Sequence, residues 1–121
     1  MDVNRIFGNS FDDKYKATVG SDTKSQEITI GDKSISMQLW DTAGGEKHMS
    51  FQSLFFRGSH ACALVFDLTN RHSFQEILEW KKLLLEDKEI LNPSKFPFIL
   101  IGNKSDLSGE RKVIAFFMYR F

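Results

Sequence analysis

The stretch FPFILIGNKSD, Phe96 to Asp106, passes from a continuous run of apolar residues directly into a polar tetrapeptide. A second apolar run, ACALVFDL at residues 61–68, precedes it in the chain. Unbroken apolar runs of this length are typical of parallel strands that are covered on both faces. Because the segment between the two runs has the pattern of a helix, the sequence predicts the α/β fold class.

The intervening helix is predicted to begin at Ser73, because Glu76 follows three residues later and the two side chains can form a capping box. Pro93 marks the expected end of this helix. Apolar residues recur along one broad face, which is expected to be buried: Ile77, Leu78, Trp80, Leu84 and Leu85.

Two shorter runs lie upstream, SQEITI at residues 25–30 and SISMQLW at residues 34–40. Both alternate apolar and polar residues with a period of two, which predicts a β-hairpin joined by GDK at residues 31–33. Ile28 and Ile30 fall on one side of the first strand. The second strand likewise places Ile35, Met37 and Leu39 on one side.

The 121 residues balance 16 basic against 16 acidic side chains, so no overall field favours nucleic acid or an anionic membrane. The one cysteine, Cys62, lies in an apolar run and is expected to be a small core residue rather than a nucleophile. The first residues lack the pattern of a signal sequence, and no carboxy-terminal cysteine offers a prenylation site. We therefore expect a soluble, cytoplasmic protein with no membrane anchor of its own.

Two polar motifs follow predicted strands: Asp41-Thr42-Ala43-Gly44, and Asn103-Lys104-Ser105-Asp106. Either motif alone could be an ordinary turn, since Asp and Gly are common in turns. In an α/β sheet, however, ligands bind beyond the carboxyl ends of the strands, and the two motifs together in this order are far more specific.

The residue types in these motifs suit a guanine nucleotide bound with magnesium. The Asp41 carboxylate can hold the water shell of Mg²⁺, and Gly44 leaves room for its amide to approach a phosphate oxygen. The two oxygens of Asp106 match the paired N–H donors on the guanine edge, which adenine lacks, and the stem of Lys104 can lie along the base.

Four segments carry a family resemblance: YKATVG, LWDTAGGE, FFRGSHACALVFDLTNRHSF and FPFILIGNKSDL. They resemble the Rab branch of the Ras-like small GTPases, with most similarity to its late-endosomal members, from about Asn4 to Val113. The resemblance implies an incomplete Ras-like P-loop NTPase fold, a mixed sheet with flanking helices. It assigns residues 1–113 to a partial Rab-like domain and leaves 114–121 as a divergent apolar tail.

By this resemblance the protein would be a guanine-nucleotide switch in vesicle traffic, located on endosomal or vesicle membranes in a longer form. Thr18 would bind magnesium with Asp41 and read the terminal phosphate together with Gly44. Phe11 would pack against the guanine, although a core aromatic is the alternative, and Tyr15 would also line the nucleotide site. Asn103, Lys104 and Asp106 match the base-reading motif.

The resemblance also implies Rab effectors or regulators as partners. Rab proteins present an aromatic triad to effectors, and Trp40 and Phe56 match two of its positions. Thr23 stands where phenylalanine is usual at the third. Effector binding is therefore expected to be weakened or changed.

The sequence departs from the family pattern at the phosphate site, because its 121 residues contain no G-x-x-x-x-G-K-[ST] motif. Losing about five charge-assisted hydrogen bonds removes at least ~7 kcal/mol of binding free energy, so tight GTP binding is not expected. Gly45 occupies the usual position of the glutamine that orients the attacking water, so hydrolysis should also be impaired. This glycine is explained by drift or by selection for a long-lived active state.

The first strand and the carboxy-terminal elements of the family fold are likewise expected to be missing from this sequence. Two further interpretations therefore stand beside the GTPase. One is a nucleotide-free, Rab-like interaction module, and the other is a truncated gene product without function.

Overall fold

The computed structural model describes residues 21–42, 56, 58–86, 90 and 92–114. The chain divides into two compact units, Met1–Phe55 and Phe56–Phe121, and each is described by itself. The first unit contains a two-stranded antiparallel sheet, and the second contains a two-stranded parallel sheet with a helix. This confirms the predicted α/β class.

The antiparallel sheet is a hairpin of two ten-residue strands, β1 (Ser21–Ile30) and β2 (Lys33–Thr42). The predicted connection was one residue too long, because Lys33 pairs with Ile30 and only Gly31 and Asp32 remain in the turn. Gly31 has φ +60°, which the tight turns of two-residue hairpins require at this position. The strands also extend beyond their apolar runs, since backbone pairing does not depend on apolar side chains.

The register of the hairpin confirms the predicted faces. Ile28 lies opposite Ile35 and Gln26 opposite Met37, so the apolar side chains of both strands share one face. The other face carries mostly polar residues, including Thr23 opposite Trp40.

The parallel sheet consists of β3 (Cys62–Asp67) and β4 (Phe98–Asn103), joined through helix α1 (Arg71–Leu85). Pairing runs in register from Cys62 and Phe98 to Asp67 and Asn103, which confirms the predicted parallel strands. Short 3₁₀ turns precede and follow β4, at Pro93–Lys95 and Ser108–Glu110. Among the described residues, no helix has the length and apolar character needed to span a membrane.

The core of this second unit lies between the sheet and α1. Its buried members come from β3 and the residue after it, from the helix and from the segment after β4: Leu64, Phe66, Leu68, Ile77 and Val113. Phe66 and Phe74 meet edge to face with centroids 5.0 Å apart. Cys62 packs against the core as predicted, and burial raises the pKa of its thiol.

Both faces of the parallel strands were expected to be covered. Among the described residues, only one of these faces is packed against the core. Leu100 packs against the core, whereas its neighbour Ile99 is 62% exposed. An unbroken apolar run indicates a strand but does not establish that both of its faces are packed.

The predicted helix start at Ser73 is wrong. α1 begins at Arg71, and the cap is Asn70, whose Oδ1 accepts hydrogen bonds from the amides of His72 and Ser73 at 3.0 and 3.4 Å. Asn is among the best N-cap residues, and here it precedes Ser73 by three positions. The Glu76 carboxylate instead lies 3.5 Å from His72 Nδ1.

The end and apolar face of α1 also differ from expectation. The helix ends at Leu85 with Glu86 as its C-cap, well before Pro93. Ile77 and Leu84 are buried, but Leu78 is 61% exposed. The buried stripe is therefore narrower than the predicted face.

Candidate functional site

The carboxyl ends of β3 and β4 bring Asp67 and Lys104 together. Asp67 pairs in register with Asn103, the last residue of β4, so Lys104 follows directly on the neighbouring strand. The ammonium Nζ of Lys104 lies 2.7 Å from Asp67 Oδ2. This ion pair stands at the sheet edge where ligands bind in open α/β folds.

The second carboxylate oxygen of Asp67 is also engaged. Oδ1 accepts hydrogen bonds from the backbone amide of Thr69 at 2.8 Å and from its hydroxyl at 2.7 Å. Partial burial works against ionisation of this carboxyl. The hydrogen bonds from Lys104 and Thr69, together with the Lys104 charge, outweigh burial and lower the pKa of Asp67 below its ordinary value.

The backbone around Asp67 is fixed by the start of α1 and by β4. The amide of Asp67 donates to Ser73 Oγ at 3.0 Å, and the next amide, of Leu68, donates to the carbonyl of Asn103 at 3.0 Å. The carboxylate therefore projects from a backbone that is held on both sides.

The loop after β4 begins with an unusual backbone conformation. Lys104 has φ +62°, the left-handed region that costs a residue with a side chain roughly 1–2 kcal/mol. The amide of Leu107 donates to the carbonyl of Lys104 at 3.1 Å and closes the turn, which leaves Asp106 exposed. Lys104 and Asp106 thus lie in one short loop directly after Asn103, the last residue of β4.

A later segment ties this loop back to β3. The amides of Lys112 and Val113 both donate to the carbonyl of Leu68, at 2.9 and 3.1 Å, and Arg111 Nε donates to the carbonyl of Val113 at 2.8 Å. Val113 is only 1% exposed. The residues between β4 and Val113 are therefore anchored at both ends.

Besides Asp41, the other predicted site residues fall into two groups. Thr23 and Trp40 lie opposite each other in the hairpin, and Trp40 is 50% exposed; Phe56 belongs to the second unit and is partly buried. Outside the described residues lie the remaining five positions: Phe11, Tyr15, Thr18, Gly44 and Gly45.

Asp41 lies near the end of β2, directly opposite Asp22. Carboxylate oxygens are ligands that Mg²⁺ prefers, so the donor chemistry of Asp41 fits this ion.

Asp67 and Thr69 were missed as site residues by the sequence interpretation. The signal that points to Asp67 was present, because it is the acidic residue at the carboxyl end of the first apolar run. The same rule that selected Asn103 to Asp106 applies to it. Its pairing with Lys104 depends on the register of two strands separated by a helix.

Comparison with known proteins identifies the family of the chain. The Ras family matches residues 3–116, and the chain belongs to that family. Similar curated proteins include the Ypt/Rab-type GTPase YPT7 of Saccharomyces cerevisiae, 39% identical over 114 residues, which are 93% of the chain and 55% of that protein. Ras-related protein Rab-7b of Paramecium octaurelia is 40% identical over 111 residues, 92% of the chain and 54% of that protein.

These relatives confirm the predicted resemblance to the Rab branch. The Ypt/Rab-type GTPase ypt7 of Schizosaccharomyces pombe adds a third, 38% identical over 113 residues, with 93% of the chain and 55% of that protein covered. The chain spans about half the length of the curated relatives it matches.

Proposed function

We propose that the chain belongs to a Rab-type guanine-nucleotide switch in vesicle traffic and supplies the part of the site that reads the base. The observation that carries this proposal is the loop Asn103 to Asp106, placed at the carboxyl end of β4 with Lys104 paired to Asp67. Membership of the Ras family and the Ypt/Rab names of the relatives support the same function.

Base recognition would be the work of Asp106 and Lys104. The exposed carboxylate of Asp106 offers two acceptor oxygens to the N1–H and amino N–H donors of guanine. Adenine has an acceptor in place of the first donor and carries no amino group at the second position, so it would leave the carboxylate unmatched. The Lys104 stem would cover one face of the base.

By the family resemblance, binding of the phosphates would involve Asp41 and Gly44, together with Thr18. Bound magnesium would neutralise phosphate charge, and Asp41 with Thr18 would hold it. Phe11 and Tyr15 would line the nucleotide site, with Phe11 against the guanine. Gly45 has no side chain that could orient an attacking water.

The 121-residue polypeptide by itself is proposed to bind GTP and GDP weakly and to hydrolyse GTP slowly. Its sequence contains no G-x-x-x-x-G-K-[ST] motif, whose amides and lysine surround the phosphates in P-loop proteins. A loss of about five charge-assisted hydrogen bonds, or ~7 kcal/mol, corresponds to about five decades of affinity.

A second role, binding of Rab effectors or regulators, is supported by the hairpin. Trp40 is half exposed on a regular antiparallel pair, and tryptophan is a common anchor of protein interfaces. By the family resemblance, Thr23 and Phe56 stand at the other two effector-binding positions. The protein would then act in the cytoplasm at endosomal or vesicle membranes, as its resemblance to late-endosomal Rab members implies.

The base-reading proposal is tested by titrating the chain with GDP and with ADP in the presence of magnesium, following amide signals by NMR. One bidentate pair discriminates between bases by ~1–3 kcal/mol, so GDP should bind at least several-fold more tightly than ADP. Asp106→Ala should abolish the preference, whereas Asp32→Asn in the hairpin turn should leave it unchanged. Equal affinity for GDP and ADP, or binding of neither, would contradict the proposed function of this chain.

A further inference from the structure

Asp67 is held in place by contacts to both its side chain and its backbone. Its Oδ1 accepts both hydrogen bonds that Thr69 can donate, and its amide donates to Ser73 Oγ at the start of α1. The neighbouring Leu68 carbonyl accepts two amides from the segment that ends at Val113. Side chain and backbone of this residue are therefore fixed by separate contacts.

A fixed partner lowers the free-energy cost of ordering the Lys104 side chain when a ligand binds. It has four rotatable bonds in its stem, it is half exposed, and its own backbone has φ +62°. An exposed lysine ordinarily samples many rotamers, and ordering it on binding a ligand costs free energy. The 2.7 Å contact with Asp67 Oδ2 fixes the far end of the stem before any ligand arrives.

The position of the pair relative to the strands sets where the stem lies. Because Asp67 is the register partner of Asn103, the Lys104 stem runs from the end of β4 to the end of β3. Asp106 lies two residues after Lys104, exposed in the turn that the Leu107 amide closes on the Lys104 carbonyl. A planar base held by Asp106 would contact a Lys104 stem whose direction is already fixed by Asp67.

We infer that Asp67 is a positioning residue of the base-reading site, which holds the Lys104 stem along the sheet edge so that a guanine base binds to an ordered side chain. Asp67 does not touch the nucleotide and acts through Lys104. The inference rests on the proposed function and assigns a role to a residue outside the base-reading motif. The depressed pKa of Asp67 keeps the pair charged at neutral pH.

The test uses the 121-residue chain with three variants, Asp67→Asn, Lys104→Met and the double substitution. Asparagine keeps the shape of Asp67 and an acceptor for Thr69, and it removes the charge that holds Lys104. Asp32→Asn, which removes a carboxylate from the hairpin turn, is the matched control. GDP affinity in magnesium is measured by NMR titration, and the folded fraction of each variant is taken from the same spectra.

Asp67→Asn is expected to weaken GDP binding roughly three- to tenfold, the cost of ordering one long side chain on binding. Asp32→Asn should have no effect. In the Lys104→Met background, Asp67→Asn should cause no further loss, since there is no ammonium left to position. A loss that persists in that background would show a merely structural role and would overturn the inference.

Failure of the inference can be told apart from failure of the proposed function. If the unmutated chain binds GDP and Asp67→Asn binds it equally well or more tightly, only the positioning role is wrong. Tighter binding would mean that Asp67 competes with the base for Lys104. If the unmutated chain binds no GDP, the proposed function fails and the positioning role falls with it.

Discussion

Lys104 Nζ lies 2.7 Å from Asp67 Oδ2, across the carboxyl ends of two parallel strands that are joined through α1. The lysine belongs to a recognisable sequence motif, whereas its pairing with the aspartate depends on the register of β3 and β4. The pair links the predicted base-reading loop to the core of the second unit, through Leu68 and the first turn of α1.

The charge of Asp67 should make a pH-dependent contribution to stability. Its pKa is lower in the folded chain than the ordinary value of about 3.9. The contribution is therefore fully present above about pH 4 and is lost as pH falls through the folded pKa. The difference in free energy of unfolding between the unmutated chain and Asp67→Asn should be constant from about pH 5 to 7 and shrink in more acidic solution.

This prediction is checked by urea unfolding at a series of pH values. Lys104→Met should raise the pKa of Asp67 toward its ordinary value, which NMR of the carboxyl carbon would report directly. An Asp67 pKa that does not respond to Lys104→Met would contradict the ion pair.

The N-cap of α1 should contribute measurably to stability. Asn70→Ala removes the acceptor of the His72 and Ser73 amides and is expected to lower the free energy of unfolding by about 1 kcal/mol. Asn92→Ala is the matched control, since Asn92 precedes a 3₁₀ turn without a side-chain cap. Equal losses for the two variants in chemical denaturation would argue against the cap.

Any side chain introduced at Gly102 should destabilise the fold. A Cβ at this position would lie 2.9 Å from Leu68 Cδ2 and 3.1 Å from Leu68 Cγ, and Leu68 is buried in the core. Gly102→Ala is therefore expected to cost about 1–3 kcal/mol through overpacking. At Gly109 the added carbon meets no described residue within 4 Å beyond its chain neighbours, so Gly109→Ala should leave the denaturation midpoint nearly unchanged or slightly raised.

The pairing of Thr23 with Trp40 predicts the effect of restoring an aromatic residue. Thr23→Phe would place two aromatic rings at directly opposed positions and should stabilise the hairpin by about 0.2–1 kcal/mol. Thr29→Phe, opposite Ser34 on the same face, lacks an aromatic partner and serves as the control. Amide hydrogen exchange in β1 and β2 would measure the difference, and equal protection in both variants would contradict the register.

Periodicity in the sequence was sufficient to predict the strands and the two-fold alternation of the hairpin. Ile28, Ile35 and Met37 share a face because the side-chain period of a strand is fixed. The exact turn was not predictable in the same way, since GDK fits two- and three-residue connections alike. Its length was settled by the pairing of Lys33 with Ile30.

The start of α1 was mispredicted because two capping signals overlap. Ser73 with Glu76 satisfies the capping-box spacing, but the helix begins earlier, where Asn70 Oδ1 accepts hydrogen bonds from the amides of His72 and Ser73. The hydroxyl of Ser73 instead donates to the backbone carbonyl of Asn70 at 2.7 Å. Local sequence patterns do not reveal which of two possible N-cap residues the tertiary contacts favour.

The base-reading loop was predictable and its supporting contacts were not. Asn103, Lys104 and Asp106 lie within four consecutive residues and follow an obvious strand. Asp67 lies far from them in sequence, and the anchoring of Val113 to the Leu68 carbonyl depends on the same tertiary arrangement.

The central claim is that Asp106 reads a guanine base, and base exchange tests it most directly. Xanthine carries an oxygen where guanine carries its amino group, so it presents one donor and one acceptor, which the side-chain amide introduced by Asp106→Asn would match. NMR titration with the two nucleoside diphosphates should show that the unmutated chain prefers GDP and that Asp106→Asn prefers xanthosine diphosphate. An unchanged preference for GDP in Asp106→Asn would contradict the assignment.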